Sequence, residues 1–510
     1  MTLTRRSMLR LLGSLALAPL VASGCSAGGL LANAGGEQVD TVGKVRFDRP
    51  LAIPPLAPSR HDGQRRRVFD LTAQTGQREF LAGRPTPTWG LNGDYLGPTL
   101  RASRGEQVLI NVHNTLPETT SLHWHGMHLP ASADGGPHQP IAPGQTWSPS
   151  WRIDQPAATL WYHPHPHGHT ERHVYRGLAG MFILDDDLEA ALQLPREYGI
   201  DDIPVIVQDK RFGDDGRFAE GEHRATGLLG DTLLVNGTLG PYLKVTTDRV
   251  RLRLLNASTA RVYAFGLADH RRFTLIGSDG GLLTAAYETD RIQLSPGERA
   301  EILVAVQAGE EAVLRSFPPA LGTGRQMTAI AGGEDTLDVL QLRAASSLAP
   351  SGPPPGRLAE VPRLEPAEAA ATRTFQLAGR QINGKKLNIR RIDEVVTKDT
   401  AEVWEVTNHH AQPHSFHVHD VQFQILSIGG AAPPPPLAGW KDAVYLPPRV
   451  PIRIIMRFAD YADPGHPYMY HCHLLFHEDS GMMGQFVVVE PGQHAQQPDA
   501  PGGHNHGRHP

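Results

Sequence analysis

Val108-Leu109-Ile110-Asn111-Val112-His113-Asn114 alternates apolar and polar side chains and ends on an asparagine. A period of two marks a half-buried strand. The pattern returns from Val250 to Asn256 and again in Val403-Trp404-Glu405-Val406-Thr407-Asn408. An Asn-Gly pair precedes each copy, at Asn92-Gly93, Asn236-Gly237 and Asn383-Gly384. That dipeptide favours tight turns between strands. The pairs lie 144 and 147 residues apart, and the closing asparagines 142 and 152 apart. Two markers that agree on one period predict a threefold repeat of all-β units.

The boundaries are expected near 195 and 355. The second lies in Ala349-Pro350-Ser351-Gly352-Pro353-Pro354-Pro355, a stiff, extended linker by composition. The units then cover 41–195, 196–355 and 356–492. An N-terminal segment, 1–40, precedes them, and a His-rich tail, 493–510, follows and is expected to be disordered. A chain of 510 residues suits three domains. Its 53 glycines and 43 prolines favour many turns and short strands. Helix signals are few; Asp186 to Gln193 reads as one short helix. A formal net charge of -5 is the wrong sign for a nucleic-acid binder, so no nucleic-acid partner is expected.

Thr4-Arg5-Arg6-Ser7-Met8-Leu9 carries a twin arginine, and the apolar run from Leu11 to Val21 is too short to span a bilayer. These features predict export by the twin-arginine route, to the bacterial periplasm or the outer face of the cell membrane. Ala22-Ser23-Gly24-Cys25 resembles a lipoprotein cleavage box, with Cys25 as the lipid anchor. Cleavage after Ala32-Asn33-Ala34 is the rival. Either way, Cys472 is left as the one cysteine of an exported chain, unable to form an internal disulfide. A buried apolar thiol is the bland reading; its neighbours argue otherwise.

Four His-X-His pairs surround the question: His123/His125, His163/His165, His417/His419 and His471/His473. Residues i and i+2 of a strand share a face. Each pair therefore presents two imidazoles side by side, a poor way to build a core and a good way to hold metal. Two pairs lie in the first repeat and two in the third, so a site between those units would use all eight. In His471-Cys472-His473 the cysteine faces away from its neighbours. His414, His477 and Met482 stand near it in sequence. Two imidazoles, a thiolate and a weak thioether describe a blue-copper site.

His123-Trp124-His125-Gly126, His163-Pro164-His165, His414-Ser415-Phe416-His417-Val418-His419 and His471-Cys472-His473 through Met482 resemble the four copper motifs of the multicopper oxidases. Gly439-Trp440-Lys441-Asp442 and His477-Glu478-Asp479-Ser480-Gly481-Met482-Met483 look closest to bacterial periplasmic copper-efflux oxidases and bacterial laccases. The resemblance implies three cupredoxin-like Greek-key β-sandwich domains and four copper ions. It implies a type 1 copper on His414, Cys472 and His477, with Met482 axial. It gives the type 2 copper His123 and His417. One type 3 copper takes His125, His163 and His473; the other takes His165, His419 and His471. Asp134 and Glu478 resemble family proton donors.

The implied activity is a laccase-type oxidoreductase that uses dioxygen as acceptor. Its donors would be phenols, aromatic amines or low-valent metal ions, and the chain is expected to be a monomer. The alternative is a copper-homeostasis protein, acting as a cuprous oxidase or a copper binder. Copper-efflux oxidases carry a methionine-rich insert over the type 1 copper. This chain has nine methionines and no such cluster, which argues against a dedicated cuprous oxidase. His128, His138, His167, His169, His173, His409 and His410 are expected to be solvated or locally hydrogen-bonded. The tail histidines His504, His506 and His509 are expected to have no role.

Overall fold

The structure, a computed structural model, describes residues 37–498. Arg5, Arg6, Cys25 and the three tail histidines lie outside the described residues. Between them the chain forms six sheets that follow one another as three pairs. Strands between 59 and 185 make the first pair and strands between 369 and 489 the third. Strands between 202 and 349 make the second, which also recruits Arg49–Pro50 through parallel pairing with Pro241 and Tyr242. Three apolar cores fill these sandwiches. Val108, Ile110 and Val112 point into the first, Val250, Leu252 and Leu254 into the second, Trp404 and Val406 into the third. The alternation that marked each strand is thus the alternation of one core-facing side, each buried aliphatic contributing about 1.5–3 kcal/mol.

The repeat has a hydrogen-bond signature. In each unit the strand that ends on the closing asparagine pairs in parallel with an earlier one: 67–73 with 108–114, 202–207 with 251–256, 369–377 with 401–408. The asparagine is buried each time and its Nδ2 donates to two carbonyls. Asn114 serves Glu118 and Ile141, Asn256 serves Arg261 and Leu294, and Asn408 serves Gln412 and Leu446. Its Oδ1 accepts from the amide two residues on, at Leu116, Ser258 and His410. The Asn-Gly asparagines also act alike. Asn92, Asn236 and Asn383 each have positive φ and clip one edge of the neighbouring strand, accepting from Thr72, Ile206 and Gln376.

Two places differ from the sequence reading. Asp187–Ala190 is a helix of only four residues, capped by Asp186, whose carboxylate accepts from Glu189 N. The helices Thr170–Arg176 and Leu475–Asp479 were not anticipated; the second packs on the strand Tyr468–Cys472, and the first packs on the second and on the strand Arg84–Leu91.

Replacing Asn256 with Ala strands two buried carbonyls in the repeat that carries no His-X-His pair. The expected loss is about 2–3 kcal/mol, read as a lower denaturation midpoint of the metal-free chain with unchanged m-value.

Candidate metal centres

Strand pairing assembles the histidines. His123–His125 lies antiparallel to Ala158–His163, with His123 opposite His163 and Trp161 opposite His125. His414–Val418 lies antiparallel to Tyr468–Cys472, with Phe416 opposite Cys472 and His417 opposite His471. Regular strand ends at Cys472, but His473 N still donates to Ser415 O at 2.8 Å, so the extended path continues. His471 and His473 stack on one side with centroids 5.4 Å apart, while Cys472 turns into the third core.

Cys472 Sγ lies 3.2 Å from His414 Nδ1 and 3.6 Å from His477 Nδ1, and the two Nδ1 atoms are 3.2 Å apart. The outer nitrogens are occupied. His414 Nε2 pairs with His410 Nδ1 at 2.9 Å, and His477 Nε2 donates to Ala225 O at 2.9 Å. All three inner donors therefore face a common point. Burial pushes the Cys472 thiol up to about 12. The thiolate that a metal requires is stable here only beside a cation. Met482 is buried in the same core. Its carbonyl accepts from Cys472 N at 3.1 Å, and its amide donates to His477 O at 3.0 Å.

The eight paired imidazoles fill one sealed chamber, each at most 1 % exposed. Their donor atoms gather as His123, His417 and His419; His125, His163 and His473; and His165, His419 and His471. Two of these sets are those that the family resemblance assigns to the type 3 coppers. The third brings the two type 2 residues together and shares His419. His123 and His417 each donate Nδ1–H to a backbone carbonyl, of Asp134 at 2.8 Å and Asp442 at 2.7 Å. Their Nε2 atoms have no partner, and neither nitrogen of His473 has one. His471 Nε2 stands 3.2 Å from both His165 Nε2 and His419 Nε2. Burial, and then mutual repulsion, holds His125, His163, His417 and His419 well below the usual imidazole range. Burial drives His165 to about 4 and His473 to about 3. Those six rings are neutral, and the donor atoms of all eight converge. Unpartnered buried nitrogens are costly, and imidazole with thiolate is a donor set that suits copper.

Three buried carboxylates brace the chamber. Asp134 Oδ2 accepts from His419 Nδ1 at 2.8 Å, and its Oδ1 is 3.3 Å from His123 Nδ1. Glu478 lies 3.2 Å from His471 Nδ1 and 3.5 Å from His165 Nδ1. Burial raises its pKa, but those two rings outweigh the burial and hold it well below the usual range. The sequence alone gives Asp442 no role. It accepts from His125 Nε2 at 2.9 Å, which turns His125 Nδ1 toward His163 at 3.4 Å. Arg299, from the second repeat, grips Asp442 through two hydrogen bonds of 2.7 and 2.6 Å. Gly126 makes this close approach feasible, since a Cβ there would sit 2.5 Å from Asp442 Oδ2.

The remaining histidines fall outside the clusters. His167, His169 and His409 are exposed. His173 is held by Glu118 and Thr120, and His138 by Gln485. His410 is the exception, since it touches His414. His128 bridges Asp420 at 2.8 Å and Asp460 at 3.0 Å.

Three family models, each described as multicopper oxidase, match residues 72–189, 214–313 and 360–492. The cell division protein FtsP of Salmonella typhimurium is 36% identical over 466 residues, 90% of this chain and 94% of its own. The multicopper oxidase mco of Staphylococcus haemolyticus is 34% identical over 443 residues, 86% of this chain and 92% of its own. The laccase of Pediococcus acidilactici superposes with a TM-score of 0.80 at 34% identity, over 89% of this chain and 95% of its own.

His128 yields a pH test. Burial opposes its charge, but Asp420 and Asp460 outweigh it and push the pKa from 6.5 to about 9. The pairing adds stability that is complete below 6.5 and lost as pH rises through about 9. Thermal melts of the metal-free chain and His128→Gln should differ most at acid pH and converge in alkali. A gap that ignores pH would refute the bridge.

Proposed function

The chain belongs to the multicopper oxidase family, and from that premise we propose that it couples one-electron oxidation of small donors to four-electron reduction of dioxygen to water. The donors are phenols, aromatic amines or low-valent metal ions. We divide the chain near 195 and 355 and place the protein outside the cytoplasm, exported by the twin-arginine route, as a monomer. Four copper ions are its cofactors.

His414, Cys472 and His477 would hold the type 1 ion, with Met482 as a weak fourth donor. His123 and His417 would hold type 2, and the two remaining triads type 3. Copper, when bound, supplies the single-electron steps and the reduction of dioxygen. The protein's part is legible in its own atoms. Carbonyls and carboxylates fix the outer nitrogens, so the inner ones aim without further ordering. The backbone of Cys472 joins its triad to His471 and His473 through covalent bonds alone. The chamber excludes solvent. Glu478, at the Nδ1 atoms of His165 and His471, and Asp134, at His419 Nδ1, are placed to hand on the protons that water formation consumes. The observation that carries this reading is the set of converging nitrogens in which His123, His417 and His473, the last adjacent to Cys472, have no partner.

The FtsP relatives favour a second reading, in which the fold binds copper or a partner and turnover is incidental. The complete donor set supports the first. Oxygen consumption by copper-loaded protein with phenols, Cu(I), Fe(II) and Mn(II) separates them; no uptake with any donor would sink the oxidase reading.

Cys472→Ser is expected to abolish both the intense thiolate–copper absorption and oxygen uptake while the metal-free chain still unfolds cooperatively. Glu478→Gln and Asp134→Asn are expected to keep that absorption and lower turnover about 10²-fold, the size of a lost proton donor.

A further inference from the structure

Where the three repeats meet, they enclose a cavity of 380 Å³ that no candidate metal ligand lines. Small-molecule sites occupy roughly 300–1,000 Å³ and favour junctions between domains. The first repeat contributes the short helix Asp187–Ala190, the second Leu282, and the third Val421 and Trp440. Leu358 adds a wall. Its amide donates to Thr284 O at 3.0 Å, and Gln424 Nε2 donates to Pro362 O at 2.6 Å, so this stretch is fixed to both neighbouring repeats. Leu188, on the rim, is 66 % exposed, the most exposed large apolar side chain among the described residues. The polar part of the lining is acidic. Asp154, Asp186, Glu189, Glu360 and Asp460 stand against Arg104, Arg457 and His128, five carboxylates to three cations. We propose that this cavity is a ligand site separate from the metal centres, which takes a small organic cation with a flat aromatic body. The site needs no copper, so it stands apart from the oxidase reading above.

Trp440 is the recognition surface. It is half-buried, and among the described residues its indole Nε1 has no hydrogen-bond partner and its ring meets no other ring. Its backbone is held from the second repeat. Gly280 N and Ser278 Oγ both donate to Trp440 O, each at 2.9 Å. Gly280 must lack a side chain here, because a Cβ would lie 2.6 Å from Trp440 Cβ and 2.9 Å from Gln422 Cγ. An indole face attracts a cation more strongly than any other aromatic side chain. The apolar walls suit a flat body, and the carboxylates suit a charged head. An anion of the same shape would meet net negative charge. The floor of the cavity connects to the histidine chamber. Gln155 and Gln422, which line it, both donate through Nε2 to Gly126 O, at 2.9 and 2.7 Å, and Gly126 follows His125. Trp440 stands two residues before Asp442, which accepts from His125 Nε2. A ligand seated on Trp440 therefore stiffens the 440–442 turn that orients His125.

Phenethylammonium and hydrocinnamate test this, since they carry one phenylethyl body with opposite charges, and neither is a phenol or an aromatic amine. Calorimetric titration of the full-length protein, metal-free and copper-loaded, should show one site for the ammonium, about tenfold tighter than for the carboxylate. Added salt should narrow that gap, because it screens the charges. Leu188→Arg sets a cation on the rim at an exposed position, outside every core. It should weaken the ammonium about tenfold and tighten the carboxylate. Trp440→Leu should weaken both. Amide hydrogen exchange over 440–442 should slow when the ammonium binds the unmutated protein, and not in Leu188→Arg at the same concentration. Equal affinity for the two probes, no binding of the ammonium, or unchanged affinity in Leu188→Arg would overturn the site. Binding that leaves exchange over 440–442 unchanged would overturn the link to His125. Both readouts work without copper, so a failure of the oxidase reading would show separately, as absent oxygen uptake.

Discussion

Eight imidazoles turned inward on one another are the constraint on which the rest of the structure depends. Lone pairs that face each other without protons between them repel, and these rings are closed off from bulk solvent. The folded chain must therefore hold them by other means. It uses the far side of every ring but His473. Backbone carbonyls take His123 and His417, Asp134 takes His419, and Asp442 takes His125. A ring anchored at one nitrogen presents the other in a fixed direction. A cation at the centre would convert that repulsion into coordination, so metal binding and folding stability are coupled here.

The second repeat has no His-X-His pair, yet the site depends on it. Arg299 grips Asp442, the acid that turns His125. Lys441, next in the chain to Asp442, is buried between Asp279 at 2.9 Å and Glu298 at 2.7 Å, both from that repeat. Such a network is expensive to bury and poor at adding stability. Its value lies in direction, since it locks the 440–442 turn against the middle unit and leaves Asp442 one orientation. Ala225, also of the second repeat, closes the other metal centre from outside. The repeat without His-X-His pairs is the frame and the cover for those that carry them.

Much of this was legible in sequence, and the reason is periodicity. A strand places i and i+2 on one face, so four His-X-His pairs and the intervening Cys472 declare their directions before any fold is known. The three asparagines were legible as markers, though not as the buried clamps they are. What escaped the sequence depends on distance along the chain. Asp442 and His125 are 317 residues apart, and Ala225 reaches His477 across 252 residues through a backbone carbonyl, which leaves no side-chain signal. The helices Thr170–Arg176 and Leu475–Asp479 escaped for a related reason. Each is too short to be stable alone, and the first is capped by Asp479 of the second rather than by its own flanking residue.

Cys472 illustrates how these levels meet. Burial drives its thiol up to about 12, which in a metal-free interior makes it an ordinary apolar side chain. The same burial makes the thiolate depend on a cation held by His414 and His477. The flanking histidines cannot move without moving Cys472, because the three are consecutive and the strand is pinned on both sides, by Ser415 through His473 and by Met482 through Cys472. Two metal centres are thereby locked at a fixed separation by covalent bonds and two backbone hydrogen bonds.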